Sequence, residues 1–127
     1  MGLAAQGRFE AVSRILDEMR RDNPALDAVG VVSSDGMPVV TLMSEADELK
    51  VSAMVATLQG VAEQVIKELR GGAMKHMIVT SEGGALIVKS ISSDLILVML
   101  VKAESKLGFA LWQAEQAVQK ISKILSA

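Results

Sequence analysis

The 127-residue sequence predicts an α+β sandwich, a five-stranded antiparallel sheet with helices on both faces. Three observations predict it. Helix-like and strand-like segments follow one another as helix, two strands, helix, three strands, helix. The turns between consecutive strands are short, which forces neighbouring strands to run antiparallel. The run Leu95 to Val101 is apolar at every position rather than at alternate ones, so both faces of that strand need a cover.

From Leu3 to Asp22, Phe9, Val12, Leu16 and Met19 recur at helical spacing, and Asn23-Pro24 supplies the stop because a residue before proline avoids the helical region. Ala28 to Ser33 and Met37 to Met43 are rich in valine and flank Ser34-Asp35-Gly36, a tight-turn signal, so they form a hairpin. Pro38 cannot donate to a ladder, which sends its strand to a sheet edge. Ser44 with Asp47 three residues later predicts a capping box, and a second helix follows from about Asp47 to Leu69. Gly71-Gly72 is expected to close it through glycine's left-handed conformation. Lys75 to Ser81, Ala85 to Ser90 and Leu95 to Lys102 then form a meander, and Leu107, Leu111, Ala114, Val118, Ile121 and Leu125 mark a last helix. With the wholly apolar strand central, the first hairpin lies on one side and the meander on the other. The edges are then the Pro38 strand and the Lys75 to Ser81 strand.

Half of the residues are hydrophobic but only 2% are aromatic, so the core must be aliphatic. A chain this long reads as one domain, 1–127. The net charge of -2 lacks the basic excess of a nucleic-acid binder. No apolar run approaches the roughly 20 residues of a membrane span, and Met1 to Arg8 lacks the pattern of a secretory signal. Cytoplasm is the default expectation. The absence of cysteine removes thiolate nucleophiles and cysteine metal sites, and the single histidine, His76, reads as a strand-end residue. Phosphate-loop, nucleophile-elbow and His-Glu-x-x-His patterns do not occur. Arg8, Arg14, Arg20, Arg21 and Arg70 read as surface charges rather than a finger donated to a nucleotide site. No catalytic, cofactor-binding or metal-binding residue is assigned, and an enzyme is not expected.

Three features call for a partner. The apolar positions of the second helix, Val55 and Leu58 among them, span a sector of roughly 140°, wide for a helix that touches one sheet. On its opposite side Ala53, Ala56 and Gly60 form a smooth track; Gly60 costs about 1 kcal/mol against alanine, so it marks either a second packing surface or a tolerated surface glycine. The edge strand through His76, Ile78 and Thr80 has neither proline nor interior charge to prevent strand addition. Two copies joined there would continue the sheet across a two-fold axis and bring the second helices together. Phe109 and Trp112 lie far around the last helix from its apolar stripe, so they either pack under the first helix or the preceding loop, or form an aromatic hot spot for a partner.

Gly30-Val31-Val32-Ser33-Ser34-Asp35-Gly36-Met37-Pro38-Val39 resembles the first hairpin of the Roadblock family, and Lys106-Leu107-Gly108-Phe109-Ala110-Leu111 resembles the Asn-Leu-Gly start of its last helix, with lysine in place of the asparagine. The resemblance spans nearly the whole chain. It implies a profilin-like Roadblock sandwich with the second helix on one face and the two terminal helices on the other. It also implies homodimers or heterodimers built through the second helix and the meander edge. Family members act as adaptors and as regulators of small GTPases, and the stand-alone bacterial gliding-motility type activates a partner GTPase. The resulting expectation is a non-catalytic homodimer that binds a Ras-like small GTPase, as activator or scaffold. The alternatives are an adaptor with no effect on nucleotide turnover and a small-molecule sensor, the latter disfavoured by the shortage of groups to orient a ligand.

Overall fold

The computed structural model describes residues 3–126. Its elements are α1 (Leu3–Asp22), β1 (Leu26–Ser33), β2 (Pro38–Leu42), α2 (Glu45–Glu68), β3 (Met77–Ser81), β4 (Gly84–Ser90), β5 (Leu95–Lys102) and α3 (Leu107–Ser126). The strands form one antiparallel sheet in the order β2-β1-β5-β4-β3. The central place of β5 and both edges are as the sequence predicts.

Alternation along β5 divides the interior in two. Leu97, Met99 and Val101 point to one face, where they pack with Val12 and Leu16 of α1, Val29 and Val31 of β1, Ile87 of β4, and Ala114 and Ile121 of α3. Ile96 and Val98 point to the other, where they meet Val32, Val88 and Val55 of α2. Two helices therefore cover one face and a single helix crosses the other. Both cores are aliphatic, as the composition requires, and each fully buried branched side chain contributes about 1.5–3 kcal/mol.

Local signals fare unevenly. Asn23 ends α1, its N–H reaching the Met19 carbonyl at 3.0 Å before Pro24 forbids another turn. The Asp35-Gly36 turn forms with Gly36 at φ +97°. The capping box at Ser44 does not form. The Ser44 side chain makes no capping hydrogen bond, and its backbone carbonyl accepts the N–H groups of Asp47 and Glu48, each at 3.0 Å. Glu48 instead accepts a 2.7 Å hydrogen bond from Thr41 Oγ1, which ties the first turn of α2 to β2.

At the other end of α2 the left-handed residue that closes the helix is Arg70, at φ +56°, rather than Gly71; Gly72, at φ +80°, lies beyond the closing bonds. The Arg70 N–H bonds the Lys67 carbonyl at 3.0 Å while the Gly71 N–H bonds the Ile66 carbonyl at 2.9 Å, the two bonds of a Schellman motif. The meander's first strand begins at Met77, so His76 lies exposed in the segment before it rather than within the strand.

Candidate functional site

The face crossed by α2 carries the larger unpartnered surface. Val51, Val55 and Ala62 turn toward the sheet, and Gln59 reaches past them so that its Nε2 donates to Ser90 Oγ at 3.0 Å. About 100° around the helix, Met54, Leu58, Val61, Val65 and Leu69 form a continuous exposed apolar stripe over four turns. Leu58 is 45% exposed and Val61 59%.

The opposite flank of α2 fixes where that stripe looks. Ala56, Gly60 and Glu63 share a hollow with Ser34, Ser90, Ser92 and Ser93, which places this flank over the loops at one end of the sheet. The stripe therefore faces the other end, where α2 leaves the strands bare. Exposed Val79 and half-buried Leu86 and Leu100 line a shallow hollow there with Asp27 and Lys102. Helix stripe and bare strands make an apolar corner, and it adjoins β3, the edge strand with no partner beyond β4 among the described residues.

The residues expected at a partner surface separate into four groups. Leu58 lies in the stripe, as expected of a contact residue. Val55 does not: at 4% exposure it belongs to the core between α2 and the sheet, because α2 is rotated to place 55 rather than 58 inward. Ala53 and Gly60 are exposed and Ala56 half-buried, but on the flank away from the stripe. Part of that smoothness serves the chain itself, since a side chain at Gly36 would come within 3.1 Å of the Ala53 Cα: the hairpin turn lies directly on the helix backbone. Gly60 has open space around it. On β3, Ile78 and Thr80 point to the face of α1 and α3, whereas Met77 and Val79 share the α2 face with their partners Val88 and Leu86.

Met54, Val61, Val65 and Leu69 share one apolar sector of α2 with its buried half, and helical spacing alone does not separate the two. Periodicity gives the width of such a sector. It does not give the rotation of the helix on its sheet.

The second surface is on the opposite face. Trp112 and Phe109, one turn apart on α3, are 58% and 39% exposed, with ring centroids 6.0 Å apart and planes inclined by 16°. They are not covered by α1; they form a ridge beside the seam between the two helices, and Phe109 shares a hollow with Glu104, Ser105 and Lys106 of the preceding loop. A buried polar clamp sets that seam: Asn23 Nδ2 donates to Gln113 Oε1, and Gln113 Nε2 donates to the Met19 carbonyl, both at 3.0 Å. Farther along α3, Lys89 of β4 bridges Glu115 at 3.1 Å and donates to the Lys75 carbonyl at 3.0 Å, anchoring the segment before β3. The hydrogen bond and charge of Lys89 hold the Glu115 carboxyl below the usual glutamate range, with a smaller contribution from Gln119.

Among the described residues no three histidine or acidic side chains converge as a metal site, and no helix is long and apolar enough to cross a membrane. What the surface displays is apolar area without a cover.

The model of the family described as "Roadblock/LC7 domain" matches residues 13–101. No curated protein matches the sequence. In structure the chain resembles a Roadblock/LC7 domain from Streptomyces avermitilis, with a TM-score of 0.85 at 14% identity over 91% of this chain and 98% of that one. It resembles Myxococcus xanthus MglB with a TM-score of 0.84 at 14% identity over 91% and 95%. An MglB described as having a tetrameric arrangement gives 0.85 at 15% over 98% and 91%. At these identities the structural likeness is one of fold. The sequence match, which spans β1 through β5 with the second half of α1, settles the family: this chain belongs to the Roadblock/LC7 family.

Proposed function

We propose that this chain is a non-catalytic, self-associating regulator that binds a Ras-like small GTPase in the cytoplasm. The observation that carries the reading is the apolar corner formed by the α2 stripe and the bare strands beside the β3 edge. Exposed area of this kind weakens solubility unless a partner covers it. A second copy would cover it. With β3 laid against β3 about a two-fold axis, the sheet continues across both chains and each stripe meets its counterpart, the self-complementary arrangement that an isologous contact requires. An MglB with a tetrameric arrangement is among the similar structures, which supports assembly of this fold from several copies.

The GTPase half of the reading is supported by membership of the Roadblock/LC7 family, whose stand-alone bacterial members of the gliding-motility type act on a partner GTPase. A regulator of this kind works by contact, reshaping or holding its partner.

Two measurements test the reading. Light scattering of the purified chain is expected to return at least twice the 13.5 kDa chain mass, with Val61→Lys falling to the single-chain value. Mixing the chain with the Ras-like GTPases of the same genome and following GTP hydrolysis separates activation from scaffolding. A monomeric wild type that binds none of these GTPases would overturn the proposal.

A further inference from the structure

We propose that the Phe109–Trp112 ridge and the α1 carboxylates beside it form a docking site for an arginine-bearing segment of a partner protein. This surface lies across the sheet from the α2 corner, so it is available whether or not the chain self-associates, and the inference does not depend on a GTPase partner.

Trp112 opens onto a hollow of about 80 Å³ between α1 and α3, the size of one side chain's head group rather than of a cofactor. Ile15, Glu18 and Asp22 form its α1 wall, and Trp112, Gln116 and Lys120 its α3 wall. Asp22 also lines a second hollow with Phe109, Glu104 and Lys106, so this residue borders both aromatic side chains of the ridge.

The two carboxylates sit where the helix itself disfavours them. Asp22 is the last residue of α1 and Glu18 lies one turn before it, at the negative end of the helix dipole. Four residues apart, they also repel each other along one flank. Neither forms an ion pair among the described residues, and Arg20 and Arg21 of the same turn do not line the hollow. An incoming cation relieves both effects.

A guanidinium fits better than an ammonium. It is planar, stacks on an indole face, and presents paired donors to a carboxylate. The site is also built before a ligand arrives, because the Asn23–Gln113 hydrogen bond and the bond from Gln113 to the Met19 carbonyl fix the end of α1 against α3. Lys120, the cation of the hollow, stands two turns along α3 from Trp112, about 12 Å of helix rise away. The two carboxylates outnumber it, so the lining keeps a net negative charge for the ligand.

Trp112 is the chain's single tryptophan, so its fluorescence reports on this surface directly. The probes are acetyl-Leu-Arg-Leu-amide and its lysine and citrulline analogues, titrated to about 10 mM while Trp112 emission and the ¹⁵N-resolved indole N–H resonance are followed. The arginine peptide is expected to give a saturable change, with lysine roughly threefold weaker and uncharged citrulline roughly tenfold weaker. The double variant Glu18→Gln/Asp22→Asn is expected to lose roughly tenfold in arginine-peptide affinity while melting no lower than wild type, since it removes a repulsion. Equal binding of citrulline, unchanged affinity in the double variant, or no saturable change in either signal would overturn the site and leave the self-association and GTPase readings untouched.

Discussion

Asn23 and Gln113, ninety positions apart, meet in the interior as a buried amide pair, Asn23 Nδ2 donating to Gln113 Oε1 at 3.0 Å. The Asn23 backbone N–H and Gln113 Nε2 both reach the Met19 carbonyl, and Asn23 Oδ1 accepts the Ala25 N–H at 3.2 Å. One side chain from each partner thus closes the C-terminal turn of α1 and joins it to α3. Replacing Gln113 with alanine strands the Asn23 amide in a dry site. The expected cost is about 1–3 kcal/mol in urea unfolding. A cycle with Asn23→Ala should show strong coupling, because the second substitution removes a group the first has already orphaned.

Gly84 opens β4 at φ +148°, and a Cβ there would lie 2.0 Å from the Val101 carbonyl oxygen of the adjoining strand. Neither the backbone angle nor the ladder accommodates a side chain. Gly84→Ala should destabilise by about 2–4 kcal/mol, whereas Gly83→Ala, with open space around it, should stay within about 0.5 kcal/mol of wild type. Thermal melts of the pair would show the contrast.

Along α2 the outcome of an acidic substitution should depend on about 60° of helix rotation. Val55→Asp places an unpaired carboxylate between α2 and the sheet, an expected loss of several kcal/mol. Leu58→Asp puts the charge in the exposed stripe, so the circular dichroism of the folded chain should persist while its associated mass falls. A Cβ at Gly60 meets no neighbour, so Gly60→Ala should gain about 0.8–1 kcal/mol from helix propensity, and Gly60→Leu would add bulk to that flank of α2. A fall in its associated mass would assign the Ala53–Gly60 flank to the interface as well.

The Lys89–Glu115 pair should leave a small mark on acid stability. Lys89 lowers the Glu115 pKa in the folded chain, so the pair's stabilisation is fully present above the unfolded value of roughly 4.3. It fades as pH falls through the lowered folded value. Glu115→Gln should remove this portion of the acid limb of a pH–stability curve, and added salt should shrink it because the carboxylate is exposed. An acid limb identical in the two proteins would show that the pair does not couple to folding.

The number, type and order of the elements were legible in the chain because each rests on local signals: helical spacing in Val12, Leu16 and Met19, the Asp35-Gly36 turn, the stop at Asn23-Pro24. Strand order followed from one further fact, that β5 is apolar on both faces. Cap details were less legible. Ser44 caps α2 through its backbone carbonyl rather than its side chain, and Arg70 rather than a glycine takes the left-handed place, because the Schellman bonds fell one residue earlier than the glycines.

The sequence by itself determined a two-faced aliphatic sheet, its three helices, the open β3 edge, and an excess of apolar surface on α2. Tertiary structure alone decided which half of that surface meets water, that Ala53 seats the Gly36 turn, and that Glu18 and Asp22 stand beside Trp112. The physical reason is the range of the forces involved. Periodicity and turn chemistry act over a few residues, whereas the rotation of α2 and the seam between α1 and α3 are set by packing and by the Asn23–Gln113 bond, between groups that approach only when the chain folds.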